Sequence, residues 1–170
     1  MADVILRDAA AADFERILAL NDAEVAQTSA MDHARLQALA NLACRFRVAE
    51  VDGRVLGFLL AMDHTAAYDN DNFRWFATRY PRFVYVDRIV VDAAAAGMGI
   101  GGKLYRDLFA LTRQHGIDHV VCEYNLEPPN PASQAFHDRF GFVEVGQQHV
   151  AGGSKLVSLQ MLDLTQEATR

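Results

Sequence analysis

Gly97, Gly99, Gly101 and Gly102 crowd four glycines into six positions. They follow an apolar run, Phe83 to Val91, and precede a stretch with Leu104, Leu108 and Leu111 at helical spacing. Glycine lets the main chain approach a ligand closely, and the first amides of a helix find no carbonyl inside it. A strand, a glycine turn and a helix start in that order therefore make a site for an anion, and a phosphate-bearing cofactor is the expected ligand. Other reactive groupings are poorly supported. His115 and His119 have the spacing of two helix-borne metal ligands, but Gly116 interrupts the helix between them. Cys44 and Cys122 both fall in strand-like apolar runs and read as reduced core thiols rather than as a disulfide.

The elements that must position the glycine turn can be read from hydrophobic periodicity. Val4 to Arg7 reads as a strand, Ala12 to Ala26 and Met31 to Ala43 as helices, and Phe46 to Val51 with Arg54 to Met62 as a hairpin around Asp52-Gly53. Asp63 to Arg82 breaks the rhythm, with Tyr68, Phe73, Trp75, Phe76 and Tyr80 among Asp69, Asn70, Asp71 and Asn72. It reads as a folded-over loop or short helix, either a satellite core or a cover over a substrate. After the glycine helix come a strand, Ile117 to Tyr124, and a short helix, Pro131 to Phe140, ended by Gly141. A closing pair, Phe142 to Val150 and Leu156 to Leu164, surrounds Gly152-Gly153, and Gln166 to Arg170 is a tail. The order β-α-α-β-β-β-α-β-α-β-β predicts a mixed α+β sheet with antiparallel pairs at both ends and one strand-helix-strand crossover.

A length of 170 residues favours one domain, expected over 1–165. Apolar residues at 51% and charged residues at 22% suit a soluble globule, and the net charge of −6 opposes non-specific nucleic-acid binding. No segment approaches the roughly 20 apolar residues of a membrane span. A cytoplasmic protein with neither a membrane nor a nucleic-acid partner is expected.

Two phosphate readings fail on detail. Gly97-x-Gly99-x-x-Gly102 fits a dinucleotide fingerprint, with Glu123 about 20 residues on. However, Asp92 to Ala96 is long for that tight turn, the motif sits behind a hairpin, and no second mononucleotide half follows. A Walker loop needs Ser or Thr after the lysine, and Leu104 follows Lys103.

IVVDAAAAGMGIGGKLY, followed by VVCEYNLEPPNPASQAFHDRFGF, resembles the core of the GCN5-related N-acetyltransferase (GNAT) superfamily, tightly over about 60 residues and in element order along the whole chain. The chain is also similar to a less characterised branch of predicted acetyltransferases. The resemblance implies a mostly antiparallel sheet of about seven strands with one splayed parallel pair, and about four helices. It implies acetyl-CoA as donor, its diphosphate on the main chain of Ala96, Gly97, Met98, Gly99, Ile100, Gly101 and Gly102. Pantetheine would pair with the strand carrying Ile89, Val90 and Val91, where that strand splays from its neighbour near Glu123. Asn130, Ser133, Phe136 and His137 would flank the cofactor's other side. Two positions depart from the family pattern. Ala96 stands where Arg or Gln is usual, so Lys103 or Arg106 is left to supply a side-chain cation. His137 stands where many members have a tyrosine that protonates the leaving thiolate, and it reads as an acid, a structural partner of the cofactor or a core histidine.

The implied reaction is direct acetyl transfer to the amine of a small molecule or peptide within a ternary complex. Glu123 is the leading base, matched to an acidic residue of some peptide α-amine acetyltransferases, and Asp87 is second, with an ion pair to Arg88 or Arg139 as its alternative. An N–H of Val90 or Val91 would face the developing oxyanion. Tyr68, Trp75, Tyr80 and Tyr85 are the candidate substrate wall, with Asp69, Asp71 and Glu127 drawing in an ammonium group. The competing function is a non-catalytic acyl-CoA-binding or sensor module. Family likeness also allows a homodimer through the closing strands.

Overall fold

Near-continuous burial over Arg54–Asp63 and Val84–Val91 and the 3.6-residue period over Ile100–Gln114 decide the main elements of the chain, whose computed structural model describes residues 2–25 and 28–167. The strands are β1 Ile5–Asp8, β2 Arg45–Val51, β3 Arg54–Asp63, β4 Val84–Val91, β5 His119–Glu127, β6 Val143–Val150 and β7 Lys155–Asp163. The helices are α1 Phe14–Ala23, α2 His33–Leu42, α3 Asp71–Ala77, α4 Ile100–Gln114, α5 Pro131–Phe140 and α6 Leu164–Glu167. The seven strands run in the order β1-β2-β3-β4-β5-β7-β6. The β1–β2, β2–β3, β5–β7 and β6–β7 pairs are antiparallel, and β4–β5 is parallel. The mixed, largely antiparallel sheet with one parallel pair is the expected fold, and α3 and α6 bring the α-helices among the described residues to six rather than about four.

Contacts divide the chain into two units, Met1–Met62 with Val86–Ala110, and Asp63–Tyr85 with Leu111–Arg170. In the first, Ile17, Leu36, Leu39, Val48, Phe58, Leu60, Leu104 and Leu108 are fully or almost fully buried. In the second, Phe76, Phe83, Tyr85, Val120, Val121 and Leu159 form the buried set. The Asp52-Gly53 hairpin takes positive φ at both positions (51° and 78°), the demand of a two-residue turn between twisted strands.

Helix boundaries follow local caps. The helix expected over Ala12 to Ala26 begins two residues later, after a 3-10 turn at Ala11–Asp13, and ends at Ala23; Ala26 lies outside the described residues. Asp32 Oδ1 accepts from Arg35 N at 2.7 Å and starts α2 at His33 rather than Met31. Asn70 Oδ1 caps α3 through Phe73 N at 3.0 Å, which puts a short helix, Asp71–Ala77, within the segment from Asp63 to Arg82. The strand expected from Ile117 begins at His119 and continues to Glu127, because its limits are set by pairing with β7. Gln166 and Glu167, expected in a tail, finish α6, and residues 168–170 lie outside the described residues. Among the described residues no helix is long and apolar enough to cross a membrane.

In the first unit α4 is tied to β2 by charge: Asp107 accepts from Arg45 at 2.9 and 3.0 Å and from Arg47 at 3.2 Å. Burial pushes the Asp107 carboxyl up, but these guanidinium bonds outweigh it and hold the group below its ordinary value. Asp13, gripped by both terminal nitrogens of Arg7 at 2.8 Å, is likewise held low. Groups depressed in the fold contribute stability above the unfolded carboxylate pKa of about 4 and lose it as pH falls through the folded value. Urea midpoints should therefore stay level from pH 7 to about pH 5 and fall below about pH 4. Asp107→Asn should lose about 1–2 kcal/mol at pH 7 and show a shallower acid limb; an unchanged acid limb would contradict this account of α4.

Candidate cofactor and catalytic site

In the first unit β4 leads into the glycine loop through an anchored corner. Asp92 N donates to Leu56 O at 2.8 Å, and Asp92 Oδ1 caps the following turn through Ala94 N at 2.9 Å. Arg16 Nη2 meets Asp92 Oδ2 at 2.6 Å while its Nε donates to Val55 O. The residues from Asp92 to Ala96 are thus a fixed 3-10 turn, Ala93–Ala95, and not slack. Gly97 and Gly99 take φ of 86° and 73°, a region that costs any residue with a Cβ and is open to glycine.

The amides of Ala96 and Met98 are engaged with the carbonyls of Ala93 and Ala95, at 3.3 and 3.2 Å, and Lys103 N with Gly99 O at 3.1 Å. That leaves Gly97, Gly99, Ile100, Gly101 and Gly102 as the loop and first-turn amides with no carbonyl partner in the described hydrogen bonds. Ala96 is exposed, as are Lys103 and Arg106. A methyl group on Gly102 would lie 3.2 Å from Arg106 Nη1, so this guanidinium folds back along α4 toward the helix start. Ile89 and Val91 are half-buried on β4 and Val90 is buried. The neighbouring pair on that strand is closed: Asp87 Oδ2 receives Arg88 Nε at 2.7 Å, with the two side chains 3% and 5% exposed.

The second unit holds the other candidates. β4 and β5 register at Val84↔Val120 and Tyr85↔Val121, and Glu123 follows two residues on. The Tyr85 hydroxyl donates to Glu123, 2.8 Å from each carboxylate oxygen. Tyr85 is fully buried with ring contacts to Tyr68, Phe73 and Phe76, so the donor is fixed. Glu123 itself is half-buried. No expectation paired Tyr85 with Glu123; the register that joins them is not written in either strand.

Asn130 Oδ1 caps α5 through Ser133 N at 3.2 Å, and Pro131 occupies the first turn. His137 is 3% exposed, in ring contact with Tyr124, Phe136 and Phe142. Its Nδ1 lies 2.7 Å from Ser133 O and 3.2 Å from Ser133 Oγ. A carbonyl only accepts, so Nδ1 carries the proton and neutral His137 presents Nε2 as an acceptor. Burial pushes the imidazole below its ordinary value, against the smaller opposing effect of the Ser133 bond. A buried, neutral ring of this tautomer has no proton to give from Nε2, which favours the core-histidine reading over the acid.

Of the candidate substrate wall, Tyr68 is 5% exposed and packs on Phe73 and Tyr85. Trp75 and Tyr80 are half-buried. Trp75 sits against Gly146, where a side chain would collide with the indole, and carries the Arg79 guanidinium 4.0 Å from its ring centre. Asp69 and Asp71 both pair with Arg74, which offsets the charge expected to attract an ammonium group. Among the described residues no cluster of three or more His, Cys, Asp or Glu side chains could hold a metal ion.

Residues 7–142 match the family model for the acetyltransferase (GNAT) family, and the chain belongs to that family. It is 34% identical over 64 residues to a probable glucosamine 6-phosphate N-acetyltransferase 2 of Oryza sativa subsp. japonica, covering 38% of this chain and 36% of that protein. It is 31% identical over 88 residues to an L-2,4-diaminobutyric acid acetyltransferase of Nocardia farcinica, covering 52% of this chain and 38% of that protein. The matches therefore span well under half the length of these curated relatives. The solved structure of yncA from Salmonella typhimurium, with its cofactor acetyl-CoA, superposes with a TM-score of 0.67 at 25% identity, over 95% of this chain and 94% of the other.

Proposed function

We propose that the chain transfers an acetyl group from acetyl-CoA directly to the amine of a small molecule or peptide, with both bound at once. The observation that carries this reading is the set of main-chain donors of Gly97, Gly99, Ile100, Gly101 and Gly102 at the start of a fifteen-residue helix. Converging amides at a helix start suit a diphosphate, and the two left-handed glycines keep side chains out of its way. When bound, acetyl-CoA supplies an acetyl carbon activated as a thioester. The strand edge of β4 at Ile89, Val90 and Val91 would pair with its extended amide arm. Glu123 takes the proton of the attacking amine, and the Tyr85 hydroxyl holds the carboxylate in place. His137 orders the start of α5 through Ser133. The two named relatives act, by their names, on amino compounds, which supports an amine acceptor.

A thiol-release screen of amino sugars, amino acids and peptides with acetyl-CoA tests this. Turnover with one class of amine is expected. Calorimetric binding of coenzyme A with no turnover on any amine would point instead to a sensor module, and no binding would remove the reading. The Arg106 guanidinium reaches back to Gly102 at the helix start, so Arg106→Ala should raise the coenzyme A dissociation constant about three- to fivefold, and less at high salt. Ala96→Arg should lower it, restoring the contact this loop lacks; an unchanged constant in both variants would contradict this assignment.

A further inference from the structure

Gly57 sits in the middle of β3 with a backbone conformation that any residue can adopt. What requires glycine there is space. A methyl group on its Cα would lie 2.9 Å from Cγ2 of Ile100, 3.1 Å from the carbonyl oxygen of Val90 and 3.6 Å from Cα of Val91. Neither close neighbour can swing aside. Ile100 is 1% exposed and is the first residue of α4, and the Val90 oxygen is main chain. The adjacent residue, Leu56, accepts the Asp92 amide at 2.8 Å. Leu56 and Gly57 therefore seat both ends of the loop, its start through Asp92 and the beginning of α4 through Ile100.

We propose that Gly57 is a positioning residue for the coenzyme A site. Its missing side chain sets how deeply the first turn of α4 rests on β3, and so where the amides of Ile100, Gly101 and Gly102 aim. The inference rests on the reading that these amides hold the diphosphate. An added methyl lifts Ile100 and tilts three donors together, although Gly57 itself touches no ligand. Packed interiors leave no slack to absorb such a shift.

The test is calorimetric titration of coenzyme A into wild type, Gly57→Ala, and Gly57→Ala combined with either Ile100→Leu or Ile100→Val. Each protein is first shown by circular dichroism to be folded at the measuring temperature. Leucine lacks a γ2 methyl and valine keeps one. Gly57→Ala and its Ile100→Val double should bind at least tenfold more weakly than wild type, and the Ile100→Leu double should return to within threefold. A purely structural role would lower the melting temperature and leave the affinity of the folded protein unchanged, which would overturn the inference. Equal loss in the leucine and valine doubles would overturn it too. Should Gly57→Ala and its valine double fail to fold, the leucine double decides: binding within threefold of wild type supports the inference and a larger loss overturns it. No heat from wild type would instead remove the functional reading on which the inference rests.

Discussion

Replacing Glu123 with glutamine should lower the turnover number with a saturating amine by about 10²- to 10⁴-fold, the usual worth of a positioned base. The coenzyme A dissociation constant should stay within twofold. The substitution keeps size and an acceptor oxygen for the Tyr85 hydroxyl, now 2.8 Å from both carboxylate oxygens, so the strand is not disturbed. What it removes is the group that can take a proton. The loss should depend on the acceptor: alkylamines titrate near 10.4 and α-amines near 7.7–8.0, so at pH 7 the former depend more on a base. Tyr85→Phe should cost less, because it takes one donor from the carboxylate and leaves the proton acceptor in place. A Glu123→Gln turnover within threefold of wild type for every accepted amine would exclude Glu123 as the base.

Much of the architecture could be read along the chain, because local physics fixes it. The Asp52-Gly53 turn, the glycine loop and the Pro131 to Gly141 helix each carry their own backbone requirement, and each lies where expected. Where boundaries moved, pairing or a cap decided them. Ile117 is apolar enough to begin a strand, but the ladder with β7 starts at His119↔Asp163. The site was legible in its glycines and less so in its side chains. That Glu123 is a carboxylate beside the crossover is visible in the sequence; that Tyr85 holds it depends on the register of two parallel strands 38 positions apart. His137 shows its residue type in the sequence but not its burial, which changes what its imidazole can donate. The acids at Asp69 and Asp71 looked like a cation lure until helix geometry set Arg74 between them.

The largest stability effect is expected at Arg88, away from the glycine loop and Glu123. Arg88→Met should destabilise the fold by about 3–5 kcal/mol, the cost of removing one member of a buried ion pair. The guanidinium reaches Asp87 at 2.7 Å and also donates to Asn21 Oδ1 at 3.0 Å, Ser29 O at 3.1 Å and Ser29 Oγ at 3.2 Å. Asn21 is fully buried and itself donates to Ser29 O at 3.0 Å, so one arginine ties β4 to the end of α1 and the residues after it. Methionine fills the stem's volume and supplies none of these donors. For a chain of this size the melting temperature should fall by about 10 °C. Arg88→Lys should fall between, since an ammonium keeps the charge but not the planar fork. Removing both charges, Asp87→Asn with Arg88→Met, should recover part of the loss. The same series bears on the base. If Asp87 only balances Arg88, Asp87→Asn lowers the melting temperature and leaves the turnover of the folded enzyme near wild type, the inverse of Glu123→Gln. The opposite pattern would move the proton-accepting role to Asp87, which the guanidinium at 2.7 Å argues against.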